Sequence, residues 1–457
     1  MLHRARALDH TRLIEDNSPC HYNHVESDIN SWHYYINDYR QVRRHIQHVS
    51  IKTYPGSDFN YVGGDYVQQA APLINSEYGG IAARSGDQDI AWCFKYQTNE
   101  LRRHDKICGY VYTELDDIEW EHNGFVNYDR SAKEFGYDHF VPGMTVADLN
   151  AADYVGLDAP PCQTLLPGAT FSAPLFVSHW GPATEALRVR WELAFVDRFG
   201  ISRSVEKGAL DIAPRRFAVT DVGDLTVGLP NEPGLATMAL HLQDGSGRVL
   251  CRNYVNVEIS DGDLPAVEQI AQGWAVRFAP GVATATSWPQ PRVDPAGDKF
   301  SATSSGWVEY EVALPAGVEL SSAQRLRLRF EASARAGMAK VDWPERTYGF
   351  NYPQTEESKS PSDVQIVVNG VAVATVHLPD DPADARGVLS HHHEVDPGSY
   401  GYLAEVEITG DNLAQVAESV TAGGVTVRFV VPADGGFALY GATRGSVPVA
   451  PTLFIDL

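Results

Sequence analysis

Residues 71–80 read APLINSEYGG: a short, mostly apolar run, then a carboxylate, then two glycines around which the chain can turn sharply. That pattern predicts a strand over 71–77 ending on Glu77. Working outward, 38–49 (DYRQVRRHIQHV) predicts a helix before it. A second, amphipathic helix follows over 88–104, with Ile90, Phe94 and Leu101 on its apolar side. Segments 11–17 (TRLIEDN), 29–36 (INSWHYYI) and 107–115 (ICGYVYTEL) read as further strands, and a brief helix starts near Ser131. Strands alternating with helices over 1–140 imply a parallel sheet with helices outside it. Strand ends that bear polar residues and run into loops suggest a TIM-type (β/α)8 barrel, whose active site lies at the C-terminal face. Four strands are expected here, and a closed barrel takes eight.

The composition changes near residue 140. Pro142, Gly143, Pro160 and Pro161 with little periodicity predict a linker over 141–165. From 166 to 259, runs such as 171–178, 187–195, 235–242 and 249–258 alternate apolar and polar residues, as in an immunoglobulin-like β-sandwich. From 260 to 457 a second set of runs (274–278, 306–314, 326–332, 363–378, 404–410 and 425–431) suggests a jelly-roll sandwich of galactose-binding type. The expected class is therefore multidomain, α/β followed by all-β. At 457 residues the chain exceeds what one hydrophobic core normally serves, which agrees.

With 59 acidic against 36 basic residues, the net charge is −23. Such a surface repels phosphate backbones and anionic membranes, leaving a neutral ligand such as a sugar unaffected. Cys20, Cys93, Cys108, Cys162 and Cys251 lie far apart with no CxxC pair, which argues against a disulfide framework and against a zinc site, and for a reducing compartment. MLHRARALDH has no apolar leader, so a cytoplasmic location is expected.

A carboxylate at the tip of a barrel strand points toward the substrate pocket, and a retaining glycosidase needs one to attack the anomeric carbon. A second carboxyl about 5–5.5 Å away protonates the leaving oxygen. By residue type alone, Glu77 fits a polar cap on the next element better than a nucleophile. Its surroundings narrow the choice. PLINSEYGG at 72–80, followed by CGYVYTELDDIEWEHNGFVNYDRSAKEFGYD at 108–138, resembles the family 2 glycoside hydrolases, which include β-galactosidases and β-glucuronidases. That family's seventh barrel strand ends in (S/T)E(Y/F)G, whose Glu is the nucleophile, and the resemblance places it on Glu77. Its eighth strand region is matched by Gly109, Thr113, Asp117, Glu119, Glu121, Asn123, Gly124, Tyr128, Asp129 and Arg130, with Glu114 where Gln is usual. ALDHTRLIEDNSP at 7–19 is similar to the family's fifth-strand entry, with His10 in place of Pro, and GGFALYGATRGSVPVAPT at 435–452 resembles its bacterial tails. The likeness is dense over residues 5–138 and thin across the sandwiches.

The resemblance implies a retaining hydrolase of β-linked sugars that needs no cofactor or metal. It also implies an aromatic on the preceding strand that hydrogen-bonds the nucleophile: His33, Tyr34 or Tyr35. A phenol donating to Glu77 would favour its ionised form. Tyr34 and Tyr35 point to opposite faces of a regular strand, so only one can donate, and Trp32 shares Tyr34's face. Tyr78, Thr113, Glu114 and Asp117 complete the expected substrate-binding set. Asp116, Asp117, Glu119 and Glu121 fit a solvated acidic loop paired with Arg130 and nearby bases better than a cation site. His391–His393 and the pair His21 and His24 have no carboxylate or cysteine at metal-ligand spacing and read as loop histidines. Trp343, Phe350 and Tyr352 fit a sugar-stacking surface or a sandwich core.

The family's acid/base is the Glu of an Asn-Glu pair at the end of the fourth strand, before the ALDPTRL segment. Here ALDHTRL starts at residue 7, and Asn99-Glu100 falls on the outer helix. Glu15 and Glu26 match no motif. The chain therefore reads as the C-terminal portion of a family 2 enzyme, with strands five to eight. Two alternatives remain: a non-catalytic carbohydrate-binding remnant, and one subunit of a split glycosidase. The expected partners are a carbohydrate and either a second copy of the chain or a chain supplying the other half-barrel.

Overall fold

The computed structural model describes residues 1–17, 22–36, 38–79, 90–118, 123–182, 186–262, 264–335, 359–381, 385–393, 400–420 and 424–457. The chain is mostly β. After helix α1 (Leu2–Leu8), strands β1 (Asn30–Tyr34), β2 (Leu73–Tyr78) and β3 (Ile107–Tyr112) form a parallel sheet in that order. Helix α2 (Tyr39–Lys52) joins the first two and α3 (Ile90–Arg102) the last two. Asp38 caps α2 by accepting from the Gln41 amide, and Val42, Ile46 and Val49 bury one face of it.

Helix α3 is enclosed almost all round, which its polar residues do not advertise. They are satisfied by the next layer. Asn99 donates to the Leu157 carbonyl at 3.0 Å, Arg102 donates to the carbonyls of Ala151, Ala152 and Ser178, and Lys95 donates to that of Tyr254. What sequence suggested as the outer surface of a barrel helix is the seam with the middle sandwich, and one apolar core runs through both.

Two short helices, α4 (Tyr137–Phe140) and α5 (Val146–Leu149), lead into that sandwich. Its sheets are β5 (Cys162–Leu165), β11 (Val249–Ile259), β10 (Gly234–Gln243), β7 (Leu187–Asp197) and β8 (Ser202–Ile212) on one side. On the other lie β4 (Asp153–Leu157), β6 (Thr170–His179) and β9 (Ala218–Gly228).

The third region also pairs two sheets. One is centred on Arg325–Ser333, flanked by Thr452–Asp456, Phe437–Tyr440 and Tyr402–Ile408; the other on Gly424–Val431, between Gly306–Ala313 and Ser362–Val368. Phe330, Phe429 and Phe437 fill the space between them. Helices α6 (Val388–His392) and α7 (Gly410–Glu418) flank Tyr402–Ile408 in the chain.

Four expectations need correction. No helix starts near Ser131, where Ala132 bridges to Val126 instead; the next helix is α4. Segment 11–17 is not a strand: Ile14 is tied through its amide and carbonyl to Asp28, side chain and backbone, leaving no ladder to the sheet. Residues 141–165 are not a linker. They contain β4, buried along its whole length, and β5, and Asp158 between them pairs with Arg43 of α2 and Arg103. Run 363–378 is a hairpin, not one strand, because Asn369 and Gly370 both take positive φ (48° and 80°), as a tight two-residue hairpin turn demands. Calls on Cys20, His21, Gly80, Glu119, Glu121, Trp343, Phe350 and Tyr352 fall outside the described residues. No helix is long and apolar enough to cross a membrane among the described residues.

Candidate active site

Register decides which side chains meet. β1 and β2 place His33 beside Glu77 and Tyr34 beside Tyr78, with an irregularity just before His33. Paired residues of a parallel sheet share a face, so Glu77 and His33 lie on one side, Tyr34 and Tyr78 on the other. The second side packs on the helices. Tyr34 stacks on Tyr78 (5.9 Å between ring centroids) and Tyr78 on Phe94 (6.4 Å), while Tyr112 meets Tyr78 edge-on at 5.5 Å. Each such pair contributes about 0.5–1.5 kcal/mol beyond burial. The Tyr78 hydroxyl bonds to that of Thr98 at 2.7 Å. Burial pushes the phenols of Tyr34, Tyr78 and Tyr112 well above the usual range, so all three stay neutral.

That aromatic layer backs the face carrying Glu77. The Tyr35 hydroxyl donates to Oε1 of Glu77, and His33 Nδ1 lies 3.6 Å from Oε2. The Tyr35 hydroxyl thus bonds one carboxylate oxygen, and the His33 ring stands beside the other, beyond hydrogen-bond length. His33 is nearly enclosed (5% exposed), whereas Glu77 keeps 32% of its side chain open, enough for a ligand to reach it.

The strand ends converge here. The Thr113 amide donates to the Tyr78 carbonyl at 2.8 Å, and a Cβ on Gly79 would sit 2.8 Å from the Thr113 carbonyl oxygen, so only glycine fits. The Asn123 amide donates to that same carbonyl, and its own carbonyl accepts from Tyr112. The half-buried Glu114 follows, its backbone carbonyl accepting from Phe125.

The expected substrate set thus divides. His33, Tyr35 and Glu77 meet, while Thr113 lies against Tyr78 and Gly79 at the adjoining strand end. Tyr34 and Tyr78 are core residues facing away. Asp117 is also unavailable to substrate: its carboxylate is buried, accepting from Lys133 at 2.6 Å and from the Gly124 amide. Asp116 pairs with Arg130. Other acids near the sheet are engaged, Glu15 by the Ser31 hydroxyl and Glu26 by Arg6. Glu100 is buried against Arg103 at 2.8 Å.

No family model matches the chain, and no curated protein does. Among solved structures it is similar to a Bacteroides uniformis β-glucuronidase, at 12% identity and a TM-score of 0.24, over 94% of this chain and 46% of that one. Bacteroides uniformis β-glucuronidase 3 gives 12% and 0.27 over 89% and 46%; the Parabacteroides merdae β-glucuronidase gives 11% and 0.26 over 94% and 42%. The chain spans less than half the length of these proteins. Likenesses this slight settle neither fold nor activity.

The histidine run is a correction to the sequence reading. His391 stacks on Trp92 of α3 with centroids 4.8 Å apart. The carboxylate that the run lacks locally is supplied by Glu258 of β11, whose Oε1 lies 3.0 Å from His393 Nε2. Only the histidine triplet could have pointed to this cluster, because its acidic member is 135 residues away.

Proposed function

We propose that Glu77 is the nucleophile of a retaining β-glycosidase site of the family 2 type, to which this chain contributes the second half of a TIM-type barrel. One observation carries the reading: a part-exposed carboxylate at the end of a parallel strand, with Tyr35 on one oxygen and His33 near the other. A nucleophile must present one oxygen along a fixed line to the anomeric carbon, and the bond from Tyr35, with the His33 ring beside the other oxygen, supports that pose. The motifs at 72–80 and 108–138 support the same assignment. The acid/base carboxyl then comes from the complementary half-barrel, from a second chain or a longer form of this one. Galacto-, gluco- and glucurono-configured sugars all remain candidate substrates.

The test isolates Glu77 from the acid. A dinitrophenyl leaving group departs without protonation, and a 2-fluoro substituent slows both steps, so the glycosyl-enzyme accumulates. Incubation with dinitrophenyl 2-fluoro-β-glycosides, with and without the complementary half, is expected to add one sugar to the intact mass. Peptide mapping should place it within Leu73–Tyr78, and Glu77→Gln should abolish it. Labelling at Glu114 refutes the assignment. So does failure of every sugar configuration to label the complemented protein.

A further inference from the structure

Glu258, His392 and His393 are joined by nothing in the sequence, and the fold brings their ligand atoms within 4.8 Å of one another. Glu258 comes from β11 of the middle sandwich. The two histidines end α6, an insertion of the third region between Val371–Leu378 and Tyr402–Ile408. His393 is the C-cap of that helix, with φ −89° and ψ 4°. Its ring plane lies 64° from that of His392, so adjacent residues approach one carboxylate from different directions.

We propose that these three side chains form a site for a zinc-class divalent cation, which pins α6 to the middle sandwich. Ligand separations carry the argument. Four ligands at about 2.0–2.1 Å around a tetrahedral ion stand about 3.3 Å apart. The Nε2 of His393 is 3.0 Å from Oε1 of Glu258 and that of His392 is 3.7 Å from Oε2, and one ligand atom from each of the three lies within 4.8 Å of the others, so small side-chain rotations bring them to that spacing. Two imidazoles and one carboxylate suit zinc, cobalt, nickel or copper, whereas magnesium and calcium take mostly oxygen ligands.

The outer shell is built as well. Thr164 of β5 donates to Oε2 of Glu258 at 2.7 Å; its oxygen also lies 2.7 Å from His392 Nε2, a contact that a bound cation would replace. It orients the carboxylate as hydroxyls and amides do around known metal sites. Val388 and Leu389 pack with Cys162 and Leu235 of the middle sandwich, and Trp92 fixes the neighbouring ring of His391. Glu258 is nearly enclosed (side chain 7% exposed), whereas His393 is 32% exposed, which gives an ion an entry path and a place for water as fourth ligand.

The experiment uses the full chain, stripped with a chelator and titrated with Zn²⁺, Co²⁺ and Mg²⁺. One equivalent of Zn²⁺ is expected to bind at least about tenfold more tightly to the native chain than to the double variant His392→Ala, His393→Ala. Co²⁺ should give the intense visible bands of a four-coordinate ion in the native chain alone, and Mg²⁺ no saturable binding. Zn²⁺ should raise the thermal midpoint of the native chain and slow amide exchange over 385–393. Equal Zn²⁺ affinity in native and double-variant chains overturns the proposal, as does a native midpoint indifferent to Zn²⁺. If the double variant does not fold, His393→Ala, which removes a part-exposed ligand, takes its place under the same criteria.

Discussion

Tyr34 and Tyr35 are adjacent in the chain and differ in their hydrogen bonding. Tyr35 donates to Glu77, whereas the Tyr34 hydroxyl is buried with no hydrogen-bond partner among the described residues. A hydrogen bond to a charged group contributes about 1.5–3 kcal/mol, so Tyr35→Phe should slow glycosyl-adduct formation about 10–100-fold. Tyr34→Phe removes an unsatisfied polar atom and should leave the adduct rate unchanged and the thermal midpoint equal or higher. Reversed effects would mean the strand's parity has been misread. Glu331 gives a residue-level pH signature. Burial raises its carboxyl from 4.5 to about 7, outweighing the bonds it accepts from the amides of Gly401, Ser446 and Val447. Its folded form therefore binds a proton more readily than its unfolded form. The resulting stability is fully present below pH 4.5 and is lost as pH rises through about 7. Thermal melts of native chain and Glu331→Gln across that window should differ in slope, the native midpoint falling more steeply with pH; parallel curves would contradict it. A carboxylate at the end of a strand was legible at Glu77 because strand-end position is a local property, whereas the aromatic beside it was expected only from the resemblance to family 2. The choice between Tyr34 and Tyr35, and the burial of Tyr78 and Asp117, were not legible, because register and a partner such as Lys133 belong to the folded chain.

At the scale of elements, β4 shows both how the chain was misread and how it holds together. Its sequence, DYVGL, lies among prolines and is too short to show alternation, yet it is buried along its whole length between α3 and the opposing sheet. Gly156 permits the approach: a Cβ there would stand 2.4 Å from Asn99 Oδ1 and 2.6 Å from the Phe176 ring. Asn99 cannot easily yield, since it also accepts from the Tyr154 hydroxyl and donates to the Leu157 carbonyl. Gly156→Ala should therefore cost about 1–3 kcal/mol by overpacking, seen as a lower urea midpoint at unchanged slope. Native-like stability of that variant would show that the seam is looser than drawn. The parallel sheet was legible because helix and strand periods alternate over long stretches. The Asn369-Gly370 turn was legible in principle, since that dipeptide marks a tight hairpin, but the apolar run on either side hid it. Segment 11–17 looked like a strand by composition, but Asp28 claims its backbone, an interaction that no periodicity reveals.

At the scale of the whole molecule, the seams and the open face of the sheet pull in different directions. Helix α3 and the Asp158 cluster of Arg43 and Arg103 lock the sheet to the middle sandwich, so its helix side is closed. The opposite side is not. Val111, which alternates with the packed Tyr112 along β3, is 53% exposed, and Leu115 just beyond the strand is 71% exposed. β1 and β3 each pair on one side only among the described residues. The outer edge of β1 is partly occupied by His24, whose Nε2 lies 3.1 Å from the Ser31 amide and 3.2 Å from its carbonyl. The edge of β3 has no such cover among the strands described, and an open edge beside exposed apolar side chains recruits a partner. Light scattering at micromolar concentration should accordingly give a mass above the 50.1 kDa of one chain, or a complex when the half-barrel proposed above as its complement is supplied. Lysines at both apolar positions, Val111→Lys with Leu115→Lys, should shift the native chain toward monomer without moving its thermal midpoint far, because neither side chain is buried. A monodisperse monomer that ignores the complementary half would remove the reason for a partner at this face. A double variant that associates as strongly as the native chain would place the contact elsewhere.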